Sequence, residues 1–144
     1  KVWLTTILAK YDPNRGSKAF SYFSVITKNW FIHKVKQNLT EDVQIVGLGD
    51  KNGADKYIRK YALELGCTYK EANLPHTSPT LYSMMTEGFY NKPYHVRNFF
   101  LRNQTFARYI DKLVVFDDSQ GVDKKVANIL KAASKAHKKT IVVN

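Results

Sequence analysis

Three apolar runs constrain the fold most: Val43-Gln44-Ile45-Val46, Leu113-Val114-Val115-Phe116 and Thr140-Ile141-Val142-Val143. Each is about four residues long, rich in β-branched side chains, and separated from the next by amphipathic sequence. A strand that is apolar on both sides needs cover on both faces, which parallel sheets flanked by helices provide. Val2–Leu8 (VWLTTIL) and Thr68–Ala72 have the same β character. Strands are therefore expected near 2–8, 43–47, 68–72, 113–116 and 140–143. Helices are expected from Ser17 to about Gln37, from Asn52–Asp55 to Leu65, from Val96 to Ile110, and from Lys124 to Lys138. Gly66 is placed to end the second of these. The expected fold class is α/β, with five parallel strands in order 3-2-1-4-5 and helices on both faces. The chain reads as one domain, 1–144, with a candidate seam at 38–42. Residues 73–93 hold three of the four prolines and read as a long loop.

Charge narrows the partners. Lys and Arg number 23 against 12 Asp and Glu, a net +11. Such a surplus favours anionic partners, and weak nucleic-acid binding is expected from it alone. The single cysteine, Cys67, excludes an intrachain disulfide or a Cys-based zinc site and suits a cytoplasmic protein. Cys67 reads as a packed thiol. No apolar run approaches membrane-spanning length, so no membrane partner is expected. His33, His76, His95 and His137 have no metal-ligand spacing, and neither a metal nor another cofactor is expected.

In an open parallel sheet, ligands bind beyond the carboxyl ends of the strands. Three segments reach that edge. Gly47, Gly49, Gly53, Ala54 and Asp55 form a glycine-rich loop opening a helix, where backbone N–H groups can meet phosphate oxygens. Arg102 and Asn103 supply a fork for phosphate and an amide for a sugar or base, with Arg97 more peripheral. Asp117–Gly121 leaves the fourth strand. Asp117, Asp118 and Asp123 are the candidate catalytic carboxylates, and no Walker loop is present.

GLGDKNGADKYIRKYALELG (residues 47–66) resembles the GGAxGADxLAxxYAxExG segment of SLOG-superfamily Rossmann-like domains, of the YspA-like branch. LRNQTFARYIDKLVVF is similar to that family's RNxxMxxxxDxxxxF, and SQGVDKKVANILKAASKAHKKTIVV to its closing GTxxxIxxAxxxGxxxxxV. The resemblance spans residues 43–144. It implies a Rossmann-like three-layer α/β/α fold and a nucleotide or nucleotide-derived ligand, with Gly121 closing the site. It also raises phosphoribohydrolase-like N-glycosidic hydrolysis as an activity and a homodimer as the assembly. Val122 stands where the family has threonine, and Asp117-Asp118 where the hydrolases have glycines.

Residues 1–37 are similar to region 2 of bacterial sigma factors, nearest the phage late-transcription type, through YDPNRGSKAFSYFSVITKN. That resemblance implies DNA contact by Tyr22, Phe23, Lys28, Trp30, Phe31 and Lys34, a phage origin and a host-cytoplasm location. It also makes residues 2–9 helical, whereas the sheet requires a strand there. The β character of VWLTTI favours the strand, and the aromatics of the following helix then read as core.

Overall fold

The structure, a computed structural model, describes residues 2–8, 25–33, 44–49, 54–116 and 124–143; for 2–8, 54, 124 and 125 it describes the backbone. In chain order the elements are strand β1 (Val2–Leu8), helix α1 (25–33), strand β2 (Gln44–Gly47), helix α2 (Ala54–Glu64) and strand β3 (Thr68–Glu71). A 3₁₀ turn (Glu87–Phe89), helix α3 (Arg97–Tyr109), strand β4 (Lys112–Phe116), helix α4 (Lys124–Lys135) and strand β5 (Lys139–Val143) follow.

Strand alternation builds two apolar layers. Ile45, Val114 and Phe116 point to one face, where Trp30 and Phe31 of α1 and Ile58, Tyr61 and Ala62 of α2 cover them. Val46, Leu113 and Val115 point to the other, beneath Phe106 of α3 and Val126, Ile129 and Ala133 of α4. Neighbours on a strand thus serve opposite cores, which is why Leu113-Val114-Val115-Phe116 is apolar throughout.

The expectation of a uniform five-stranded Rossmann-like sheet needs correction. Side-chain packing is described for four strands, and these form two separate two-stranded parallel pairs, β3–β2 and β4–β5. Between them lies the backbone of β1, giving the order β3-β2-β1-β4-β5. It divides its pairing: Val2, Leu4 and Thr5 match Gln44, Ile45 and Val46, with a break in register between Val2 and Leu4. Thr5 to Leu8 match Leu113 to Phe116. Only Thr5 has partners on both sides, because β2 stops early while β4 runs on. Past Thr5, β1 has no paired residue on its β2 side among the described residues.

Residues 72–96 fold back on β3 rather than projecting. Glu71 N donates to Tyr82 O (2.8 Å) and Met84 N to Glu71 O (3.0 Å), so Ser83 forms a parallel bridge beside Glu71. The edge of β3 is thereby covered at its carboxyl end.

Candidate functional site

Gly47 ends β2 in tight quarters: a Cβ there would lie 2.9 Å from Tyr69 Oη and 3.3 Å from Asp55 Oδ1. Asp55, buried in the first turn of α2, accepts from Leu48 N at 3.1 Å and pins the loop to the helix. Gly49 has φ +78°, and a Cβ there would collide with Asn73 Nδ2. Glycine at 49 thus meets both a left-handed backbone and a close approach.

Ala72 joins this loop to Arg102. Its N–H donates to Gly47 O at 2.8 Å, and its carbonyl accepts from Arg102 Nη1 at 3.5 Å. Arg102 lies in the second turn of α3 and is only 6% exposed. Its Nε donates to Asn103 Oδ1 at 2.8 Å, and Asn103 Nδ2 donates to Asn128 Oδ1 on α4 at 2.8 Å. Arg102 is therefore held in place by Ala72 and Asn103. Arg97, the first residue of α3, is exposed, and its N–H is capped by His95 Nδ1 at 3.0 Å.

A second group at this edge escaped the sequence reading. Glu71, 3% exposed, accepts from Tyr69 Oη (2.9 Å), Asn73 Nδ2 (3.3 Å) and Thr80 Oγ1 (3.4 Å). Ser83 Oγ donates to Asn73 Oδ1 at 3.0 Å. Arg59 Nη1 lies 3.7 Å from the carboxylate, with its guanidinium 4.8 Å from the Tyr82 ring centre. Burial pushes the Tyr69 phenol up, and the Glu71 and Asp55 charges push it further. A strand reading TYKE does place Tyr69 and Glu71 on one face. Their partners arrive only because residues 80–84 double back.

The structure thus brings Gly47, Gly49, Asp55, Arg102 and Asn103 to one edge, with the backbone of Ala54 opening α2. Gly53 and Gly121 lie outside the described residues, as do Asp117, Asp118 and Asp123. For the DNA-contact set, Tyr22, Phe23 and Lys34 also lie outside them. Lys28 is exposed, but Trp30 and Phe31 are 9% and 1% exposed. Trp30 packs edge-on against Phe31 (5.2 Å) and Phe116 (5.9 Å). The aromatic faces of α1 are thus spent on the core, as the strand reading of residues 2–8 expects, and not left for base stacking as the sigma-like alternative requires. Cys67 is half-buried against the same core, and burial raises its thiol pKa.

Among the described residues, no cluster of His, Cys, Asp and Glu could hold a metal ion, and no helix is long and apolar enough to cross a membrane. No protein-family model and no curated protein matches this chain.

Proposed function

We propose that this protein binds a phosphorylated nucleoside-type small molecule at the carboxyl ends of β2 and β3. The observation that carries this reading is the buried Arg102 guanidinium, held to Ala72 O beside the glycine loop of Gly47 and Gly49. A guanidinium kept in a low-dielectric edge is already oriented, so little ordering cost falls on an anionic ligand. Asn103 fixes the fork, and the N-terminus of α2 adds positive potential. N-glycosidic hydrolysis is the accompanying candidate activity, and a homodimer the accompanying assembly.

Thermal-shift and calorimetric titrations with AMP, ribose 5-phosphate and NAD test the reading. A ligand at 100 times its Kd adds about 2.7 kcal/mol of apparent stability. Arg102→Lys keeps the charge but loses the fork, and is expected to weaken binding roughly tenfold or more. Arg97→Ala is expected to do less. Free adenine released from AMP reports hydrolysis. The absence of a shift with every ligand at millimolar concentration overturns the proposal.

A further inference from the structure

α3 and α4 form one outer layer, and its charge is one-sided. The two helices, 97–109 and 124–135, hold seven of the 23 Lys and Arg residues and none of the 12 Asp and Glu residues. Elsewhere the acids are interspersed: α2 and β3 carry Asp55, Glu64 and Glu71 beside their lysines. The face does not suit a second copy of the chain, since two such layers would repel.

A cleft of about 190 Å³ opens in this layer, lined by Phe100, Gln104, Asn128, Lys131, Ala132 and Lys135. That is smaller than the roughly 300 Å³ at which small-molecule pockets begin, and is suited to one planar ring rather than a whole cofactor. Phe100 is 48% exposed, whereas Phe106 on the same helix is fully buried. Ala132 leaves the notch between Asn128 and Lys135, one helical turn to either side. The polar chemistry is directed. Arg102 can only donate, so Asn103 turns its oxygen to it and its NH₂ to Asn128 Oδ1. The Asn128 oxygen is thus engaged from behind. Lys131 and Lys135 are exposed, and no ion pair ties them down among the described residues.

From these we infer that the α3–α4 cleft binds single-stranded nucleic acid, with a base against the Phe100 ring and neighbouring phosphates held by Lys131 and Lys135. An exposed ring accepts any base face, two ammonium groups on successive turns track a backbone, and amide side chains suit base edges. The inference is independent of the small-molecule site, which sits at the sheet edge.

The test is fluorescence anisotropy with labelled single strands of about 12 nucleotides, as oligo-dT and oligo-U, beside a duplex of equal length and over a series of salt concentrations. Single strands are expected to bind more tightly than the duplex, and the two single strands report whether DNA or RNA is preferred. Phe100→Ala and Phe100→Leu are each expected to weaken single-strand binding roughly five- to a hundredfold, with unchanged unfolding midpoints. Lys131→Gln with Lys135→Gln is expected to flatten the log–log salt slope by about 1.4. Lys56→Gln with Lys60→Gln, on α2 in the other layer, is expected to leave it nearly unchanged. The proposal is overturned by intact binding in Phe100→Leu, by equal effects of the two lysine pairs, or by a preference for duplex. Binding to phosphatidylserine vesicles without strand binding would assign the face to membranes and equally overturn it.

Discussion

Asn103 hands the polarity of Arg102 on to Asn128: its oxygen accepts from Arg102 Nε and its NH₂ donates to Asn128 Oδ1, both at 2.8 Å. This amide links the sheet edge to the outer helix layer. Asn103→Ala removes the acceptor of the buried Arg102 Nε and the donor to the part-buried Asn128, and is expected to cost about 1–3 kcal/mol. Asn103→Asp keeps an acceptor for Arg102, and a flipped Asn128 can donate to it. The aspartate variant is therefore expected to be clearly more stable than the alanine variant by urea unfolding. Equal losses in the two would mean that the Arg102 contact contributes little.

Two glycines separate backbone strain from crowding. Gly49 (φ +78°) and Gly66 (φ +73°) share the left-handed conformation, but a Cβ at Gly66 meets nothing within 4 Å whereas at Gly49 it strikes Asn73 Nδ2. Gly66→Ala is expected to cost about 1–2 kcal/mol from conformation alone. Gly49→Ala should exceed it, because Asn73 must leave Glu71 and Ser83. Denaturant midpoints of the two variants check the ordering, and a smaller loss at 49 would contradict it.

Alkaline stability should be sensitive to Tyr69. Its phenol is raised by burial first and then by Glu71 and Asp55, so the native state keeps a proton that the unfolded chain releases near pH 10. The stabilisation is complete below about pH 10 and is lost as pH rises beyond it, by roughly 1.4 kcal/mol per pH unit from this group. Tyr69→Phe is expected to remove this contribution to the slope while costing about 1.5–3 kcal/mol at neutral pH, since Glu71 loses its shortest hydrogen bond. Urea titrations on either side of pH 10 make the comparison; an unchanged slope in Tyr69→Phe would rule the linkage out.

Phe31 sits beneath Phe116 and Ile45 in the core shared by α1 and α2. Phe31→Ala is expected to cost about 3–5 kcal/mol through a cavity. Calorimetry should show this loss of stability, and any loss of DNA binding should follow unfolding. A stable Phe31→Ala that no longer binds single strands would restore the nucleic-acid role implied by the sigma-like segment.

Local signals were readable where one residue type decides the geometry. α2 ends with Gly66 in the left-handed region, Gly66 N donating to Leu63 O and Cys67 N to Ala62 O. α4 ends in the same motif, with His137 N to Ser134 O and Lys138 N to Ala133 O, but His137 takes the left-handed position at φ +58°. With no glycine to mark it, the periodicity carries the expected helix to Lys138, past its end at Lys135. The β-branched runs locate all five strands to within a residue at each end, whereas the split pairing of β1 depends on where β2 stops. The Glu71 network was hidden for a similar reason: Thr80 and Ser83 look like loop residues until the chain returns along β3. Arg102 stands out by type and spacing, but its burial comes from tertiary contact with Ala72, which follows β3, and from the neighbouring Asn103.

The divided pairing of β1 also orders events in time. Thr5 meets Leu113, 108 residues further along the chain. At roughly 5–20 residues per second, a ribosome needs about five to twenty seconds to supply that partner. Meanwhile β2, α2 and β3 can assemble from contacts close in sequence, and β1 can add to β2 through Val2–Thr5. The growing sheet then presents the unpaired side of β1 as its edge, a template for joining other nascent chains. A chain released before residue 112 keeps that edge for good, so truncation there should yield aggregation rather than a smaller stable protein.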